Sequence, residues 1–163
     1  MGCGVLNGTV YALLARSMAN AMKKVLVVED NADWRDLLTM IIRRSGHEVV
    51  IAGTGKEAVR QASMTHPDLI LMDLGLPEIS GDEATAHIKA DPALKHIPVV
   101  IQTAFGSGPN AKRAIEAGAA EIFHKPISIT AIQKLLSKYL SGGDGKPKTD
   151  SRSFTHYFPG SAL

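Results

Sequence analysis

Apolar residues follow two repeating patterns along this chain. Short apolar runs are typical of strands buried on both faces of a sheet, and apolar positions spaced three to four residues apart are typical of helices that pack on such a sheet. Strands are predicted at residues 24–28, 48–52, 69–72, 98–102 and 121–124. Helices are predicted at residues 34–45, 54–65, 80–89, 110–117 and 128–140. Because strands and helices alternate, we predict an α/β fold, a doubly wound five-stranded parallel sheet with helices on both faces.

Capping residues support the predicted helix starts. Thr54 with Glu57, and Ser80 with Glu83, have the spacing of a capping box, in which a hydroxyl and a carboxylate bind the free amides of the first helical turn. Ser128 is the predicted cap of the last helix. These residues indicate where the second, third and fifth helices begin.

The two ends of the chain differ in pattern from its middle. Residues 1–22 are predicted to be an N-terminal extension, either a helix or a stretch that precedes the true start of translation. Residues 141–163 open with a linker rich in Gly, Ser and charged residues and are predicted to be a flexible tail. Because each flank is shorter than the roughly 40 residues that an independent domain needs, we expect residues 23–140 to form a domain without an attached output domain.

Composition narrows the functional classes. A net charge of +2 is too small to indicate nucleic-acid or membrane binding, so we expect neither. The hydrophobic content of 45% and the charged content of 21% are ordinary for a globular domain. Cys3 is the single cysteine, so no disulfide can form within the chain, which fits a reducing compartment. We therefore predict a cytoplasmic location.

Polar side chains follow four of the five predicted strands. Glu29 and Asp30 follow the first strand, and Asp73 follows the third. A hydroxyl, Thr103, ends the fourth strand, and an ammonium, Lys125, follows the fifth. Because the carboxyl ends of parallel strands lie at one edge of the sheet, we expect these five side chains to meet in one pocket.

The chemistry of these residue types indicates phosphoryl transfer. Clustered carboxylates repel one another unless a cation lies between them, and Mg²⁺ is a hard ion that binds both carboxylate and phosphate oxygens. With the metal bound, Asp73 is predicted to attack phosphorus and to form an aspartyl phosphate. Lys125 and Thr103 then supply a cation and a hydroxyl donor to the phosphoryl oxygens.

Four motifs together resemble the signature of receiver domains of two-component response regulators. They are Val27-Val-Glu-Asp-Asn31, Asp73-Leu-Gly-Leu-Pro77 with Gly81, Thr103-Ala104, and Lys125-Pro126. The likeness spans residues 23–140 and is that of a stand-alone, single-domain receiver. It implies the flavodoxin-like strand order 2-1-3-4-5 and a cis peptide between Lys125 and Pro126.

The resemblance also implies ligands, partners and roles. Asp73 would take its phosphoryl group from a histidine kinase or a histidine phosphotransfer protein. Mg²⁺ would be held by Glu29, Asp30, Asp73 and the backbone carbonyl of Gly75. A downstream protein partner would read the change at the face of the fourth strand, fourth helix, fifth strand and fifth helix, and homodimer formation is left open. The chain would be a signalling switch and no enzyme, except that it assists its own phosphorylation and dephosphorylation.

One position departs from the pattern of the family. Receivers commonly carry Tyr or Phe three residues before the lysine, but here Ile122 holds that position and Phe123 follows it. We therefore expect the usual aromatic switch to be missing. The output residues are predicted to be Thr103, Ala104, Ile122, Phe123 and Pro126.

Other residues that often carry function are predicted to be structural. Trp34, at the start of the first helix, is interpreted as a packing residue. The histidines show no shared spacing and are predicted to be exposed or packed; they include positions 47, 66, 87, 96 and 124. Glu78 is predicted to be an exposed loop residue.

Two other functions remain open from the sequence. One is a receiver-like module that binds partners without being phosphorylated, which stays open because Ile122 replaces the usual aromatic residue. A phosphatase of the haloacid dehalogenase type would also use an Asp nucleophile at a strand end, but it would carry a second Asp where this chain has Gly75. A nucleotide-binding enzyme is disfavoured because the acidic stretch after the first strand replaces the expected Gly-rich loop.

Overall fold

The strands and helices alternate along the chain as its apolar pattern predicts. The structure is a computed structural model that describes residues 22–104 and 109–141. The strands are β1 (Lys24–Val28), β2 (Glu48–Ala52), β3 (Leu69–Asp73), β4 (Val99–Thr103) and β5 (Glu121–His124). The helices of the described residues are α1 (Ala32–Arg44), α2 (Gly55–Thr65), α3 (Gly81–Ala90), α4 (Pro109–Glu116) and α5 (Ile129–Leu140).

Parallel pairing aligns the carboxyl ends of the strands. The sheet has the order β2-β1-β3-β4-β5, and every pair is parallel. Val28 pairs with Met72, and Asp73 pairs with Gln102, so β1, β3 and β4 end side by side. The predicted flavodoxin-like fold is confirmed. Since β1 and β3 are neighbours from which the chain winds in opposite directions, their carboxyl ends border the crevice where such folds bind ligands.

Two hydrophobic cores lie on opposite faces of the sheet. The alternation of side chains along β1 and β3 directs Leu26 and Ile70 to one face and Val25 and Leu69 to the other. The first face packs against α2, α3 and α4, and the second packs against α1 and α5. All residues of β3 and β4 are buried. The strand that ends at Asp73 is therefore held between two helical layers.

Two of the predicted caps are present. Thr54 Oγ1 accepts a hydrogen bond from the amide of Glu57 at 3.1 Å. The Glu57 carboxylate returns to the amide of Gly53 at 2.9 Å, one residue before the position expected in a capping box. Ser128 Oγ accepts from the amide of Ala131 at 3.1 Å. The sequence pattern therefore located the starts of α2 and α5 correctly.

The predicted capping box at the start of α3 is wrong. Ser80 is the N-cap residue, but its side chain makes no capping hydrogen bond. The chain is held there by backbone contacts instead, because the amide of Gly81 donates to the carbonyl of Leu74 at 3.0 Å. The start of α3 is thus tied to the segment that follows Asp73 and not to a side-chain cap.

The predictions for the flanks fall largely outside the described residues. The extension at residues 1–22 has only its last residue described, and the tail at 141–163 has only its first. The predicted domain boundaries therefore stay predictions. Among the helices of the described residues, none combines the length and the apolar character needed to cross a membrane.

Replacing Gly81 by Ala should destabilise the protein. A Cβ at this position would lie 2.1 Å from the carbonyl oxygen of Asp73, which is a backbone atom and cannot rotate away. Alanine normally favours a helix over glycine by about 1 kcal/mol. The clash should reverse that sign and lower the free energy of unfolding by about 2–3 kcal/mol, as measured by urea denaturation.

Gly75→Ala is the matched control. A Cβ there meets no atom within 4 Å, so the change in stability should stay within about 0.5 kcal/mol. Equal stabilities of the Gly81 and Gly75 variants would contradict the close approach of α3 to β3.

Candidate functional site

The carboxyl edge of the sheet gathers the predicted polar residues. Glu29 and Asp30 directly follow β1, and Asp73 is the last residue of β3. Thr103 ends β4, and its carbonyl accepts a hydrogen bond from the amide of Lys125 at 2.8 Å. This bond brings the segment after β5 to the end of β4, and with it the lysine side chain to the carboxylates.

Lys125 lies between two carboxylates. Its Nζ is 2.7 Å from Oε2 of Glu29 and 2.8 Å from Oδ2 of Asp73. Burial by itself lowers the pKa of Lys125, but the hydrogen bonds to Asp73 and Glu29, together with their negative charges, outweigh it, so the pKa is above its usual value. The lysine is therefore a fixed positive charge at neutral pH, bound to residues from two different strands.

Glu29 is an acid buried within the protein, only 2% exposed. Burial raises its pKa, the hydrogen bond from Lys125 opposes this effect, and the nearby charge of Asp73 adds to it, so that the pKa is raised on balance. Its Oε1 accepts from the amide of Asn31 at 3.3 Å, and its own carbonyl accepts from Arg35 at 2.9 Å. Glu29 is thus held in place, but its hydrogen bonds do not fully offset the cost of burying its negative charge.

Three carboxylates are close enough to share a cation. One oxygen each from Glu29, Asp30 and Asp73 lies within 4.8 Å of the other two. Glu29 and Asp73 are buried, and Asp30 is exposed. Hard oxygen donors of this kind fit Mg²⁺, which binds through one or two carboxylates and keeps several waters. The donor set therefore fits the metal that the sequence predicts.

Gly75 lies in the loop directly after β3. Its amide is 3.4 Å from Oδ1 of Asp73, and the residue is exposed. This amide contact places the loop beside the carboxylate. The role of the Gly75 carbonyl as a metal ligand stays a prediction.

The predicted output residues lie on different faces of the sheet. Thr103 is 1% exposed, and Ala104 after it is exposed. Ile122 packs against the core on the α2–α4 side, whereas Phe123 packs against the core on the α1–α5 side. The Lys125–Pro126 peptide is cis, as the resemblance implies. Because Phe123 points away from the face of Ile122, it cannot take the place of the aromatic residue that receivers commonly carry.

Sequence reasoning missed two contacts beside the site. Trp34 Nε1 donates to Oε1 of Gln102 at 3.2 Å, and Asn31 caps α1 by accepting from the amide of Trp34 at 2.9 Å. Asn31 could have been identified as a cap from its residue type before a helix. Gln102 had a weaker signal, since it is an amide in an otherwise apolar strand. Nothing in the sequence indicated that it meets Trp34.

A cleft of about 400 Å³ opens beside the lysine. It is lined by Glu29, Asn31, Trp34, Lys125 and Pro126. Its walls thus come from α1 and from the segments after β1 and β5, next to the contact between Glu29 and Lys125.

The family of the chain follows from a direct match. Residues 25–137 match the family model of the response regulator receiver domain. The chain belongs to this family. This receiver is 41% identical over 118 residues to the polar-differentiation response regulator DivK of Brucella ovis, which covers 72% of this chain and 96% of that protein.

Solved receiver structures share the fold. The receiver domain of the sensor histidine kinase PA1611 from Pseudomonas aeruginosa has a TM-score of 0.70 and 29% identity, covering 75% of this chain and 100% of that domain. In that structure a magnesium ion is coordinated in the active-site cleft. The phosphorylated cyanobacterial phytochrome response regulator RcpA has a TM-score of 0.66 and 33% identity, covering 74% of this chain and 96% of RcpA. The receiver described here is therefore a domain of phosphorylation-based signalling.

Replacing Lys125 by Met should destabilise the metal-free protein in a pH-dependent way. The lysine lowers the pKa of Glu29, so its loss raises that pKa further above the ordinary value of 4.5. An acid whose pKa is raised on folding loses stability as pH rises from the unfolded pKa through the folded one. The deficit against the unchanged protein should therefore grow from about pH 4 to about pH 7, reaching about 1–3 kcal/mol.

Urea denaturation in the presence of a chelator measures this deficit. Lys138→Met is the matched control, because the Lys138 ammonium pairs with Glu121 on the surface, where an ion pair contributes less than about 1 kcal/mol. A deficit in Lys125→Met that is the same at both pH values would contradict the role of Lys125 as counter-ion of a buried acid.

Proposed function

We propose that this receiver accepts a phosphoryl group on Asp73 from a histidine kinase or a histidine phosphotransfer protein, in the presence of Mg²⁺, and that a downstream protein reads the result. One observation carries the proposal. The Lys125 ammonium bridges Oε2 of Glu29 and Oδ2 of Asp73, so a fixed cation and a strand-end carboxylate are already in contact.

The metal would be held by Glu29, Asp30 and Asp73, together with the carbonyl of Gly75. The three carboxylates supply oxygen donors within 4.8 Å of one another, which supports this ligand set. When bound, Mg²⁺ neutralises charge on the carboxylates and on the incoming phosphoryl oxygens. Because burial raises the pKa of Glu29, a second cation beside it also recovers part of the free energy lost on ionising that acid.

Asp73 acts as the nucleophile. One carboxylate oxygen attacks phosphorus, the new O–P bond forms, and the P–N bond of the donor phosphohistidine breaks with its electron pair going to the imidazole nitrogen. The Lys125 ammonium already binds Oδ2 of Asp73, so it lies next to the incoming phosphoryl group and stabilises the negative charge on its oxygens. Thr103, at the end of the neighbouring strand, supplies the hydroxyl that binds the transferred group.

The cleft supports approach of the donor. It reaches the carboxyl edge between the segments that carry Glu29 and Lys125, and it contains the polar side chain of Asn31 and the aromatic ring of Trp34. The imidazole of a phosphohistidine donor has the size and polarity to enter such a cleft. We place this exchange in the cytoplasm, as the composition predicts.

Output is proposed to run from Thr103 through Ala104 to the face of β4, α4, β5 and α5. Ile122 lies on the same side of the sheet as the α4 contacts, so it is the side chain that a displaced Thr103 would meet. Ile115 on α4 is an exposed apolar residue of this face, with 44% of its surface accessible. A protein partner or a second copy of the receiver would bind there, with no role for nucleic acid.

Phosphorylation of Asp73 is the direct test. The protein is incubated with acetyl phosphate and Mg²⁺, quenched in acid and weighed intact. The unchanged protein should gain the mass of one phosphoryl group, and Asp73→Asn should gain none, because its amide is not a nucleophile.

Asp68→Asn is the control, at the residue that precedes the same strand. Asp68 lies just before β3 at the opposite edge of the sheet, where its carboxylate binds Lys23 and the amide of Lys24. This variant should take up the phosphoryl group normally. The proposal fails if the unchanged protein gains no mass, or if Asp73→Asn gains as much. Steady release of phosphate from phosphoester substrates would indicate a phosphatase instead.

Replacing Asp30 by Asn should weaken Mg²⁺ binding by about tenfold or more, because it removes one of the three proposed anionic ligands. Calorimetry of the metal titration measures the change. Asp33→Asn is the matched control, since Asp33 lies three residues on, in the first turn of α1. Equal Mg²⁺ affinities of the two variants would show that Asp30 does not bind the metal.

A further inference from the structure

A polar residue interrupts the buried strand β4. Gln102 is 2% exposed and lies among apolar residues, directly before Thr103. Burying an amide lowers stability unless it is hydrogen-bonded. Its Oε1 accepts a hydrogen bond from Nε1 of Trp34 at 3.2 Å, across 68 positions of the sequence. The buried amide of β4 is thus hydrogen-bonded to a side chain at the start of α1.

Trp34 connects this amide to the acidic segment after β1. Its backbone amide donates to Oδ1 of Asn31 at 2.9 Å, and the amide of Asn31 donates to Oε1 of Glu29 at 3.3 Å. The backbone carbonyl of Gln102 also accepts from the amide of Leu74, next to Asp73, at 2.9 Å. The side chain of Gln102 is therefore bonded to Trp34, whose neighbour Asn31 contacts Glu29, and its backbone is bonded to the residue after Asp73.

Packing alone does not account for this pair. The Trp34 ring lies partly buried against the core on the α1–α5 side, and a phenylalanine ring would serve that contact. An apolar residue at position 102 would suit the buried face at least as well as an amide. The hydrogen bond is the feature that requires both an indole and an amide, and it ends one residue from Thr103.

We propose that Trp34 and Gln102 are positioning residues for the site, an inference that rests on the proposed function. The indole N–H holds the first turn of α1 against β4, which keeps the Asn31 amide directed at Glu29. The carboxylate is then fixed with Oε2 toward Lys125 and ready to share a cation. Loss of the hydrogen bond removes none of the ligand residues, but it lets the segment that carries Glu29 move.

Mg²⁺ affinity is the first readout. Trp34→Phe keeps a ring and removes the donor, and Gln102→Leu removes the acceptor. By calorimetry each variant should bind Mg²⁺ about threefold to tenfold more weakly, at or below the usual effect of losing a partner bonded directly to a ligand. Because both changes break one bond, the double variant should bind no more weakly than the weaker single variant.

A second readout needs no metal. In chelator-treated protein, the Trp34 indole proton should exchange slowly with water and should exchange fast in Gln102→Leu. The Asn31 amide proton should exchange faster in both variants than in the unchanged protein. Trp34 is the only tryptophan, so its indole signal is assigned without ambiguity. Should Gln102→Leu fail to fold, Gln102→Met replaces it.

Tyr139→Phe is the matched control. Tyr139 packs against the same core and donates from its hydroxyl to Glu121 at 3.0 Å, away from the acidic cluster. Its loss should leave Mg²⁺ affinity and Asn31 exchange unchanged. An equal loss of affinity in this control would overturn the inference, because any weakened core would then suffice.

The outcomes separate the two proposals. If the unchanged protein binds no Mg²⁺ and gains no phosphoryl group, the proposed function fails. If it does both, and Trp34→Phe and Gln102→Leu match it in Mg²⁺ affinity and in Asn31 exchange, the proposed function stands and the positioning role is refuted.

Discussion

The contact of one ammonium with two carboxylates is the constraint on which this receiver depends. Lys125 reaches Glu29 at 2.7 Å and Asp73 at 2.8 Å, and each acid stands at the end of a different strand. Two such anions would repel one another without a cation between them. The half-buried lysine therefore allows the strands to present their acids side by side, and the same acids can share a divalent ion with Asp30.

The fold supplies the positions that this contact needs. Neighbouring strands β1 and β3 end at the same level, and β4 and β5 extend that edge toward Thr103 and Lys125. The buried strand β3 leaves Asp73 little freedom, and α3 begins close against its backbone carbonyl at Gly81. Phosphoryl transfer depends on such rigid positioning, because a protein catalyses it mainly by orienting the reacting groups and by stabilising their charge.

The fold and the gathering of site residues could be predicted because both follow from local patterns. Apolar runs set the strands, and parallel strands bring Glu29, Asp73 and Lys125 to one edge whatever the details of packing. The Trp34–Gln102 bond could not be predicted, since it joins side chains far apart in sequence through the geometry of α1. Ser80 failed as a cap for a similar reason: backbone contacts after β3 decide where α3 starts.

If the acidic cluster acts through a bound Mg²⁺, the rate of phosphoryl uptake by Asp73 must depend on the concentration of free Mg²⁺. With acetyl phosphate as donor, the rate of mass gain is measured over a titration of the metal and in excess chelator. We expect a rate that rises and saturates with Mg²⁺ and vanishes in chelator. An equal rate in chelator, or no uptake at any concentration of the metal, would contradict it.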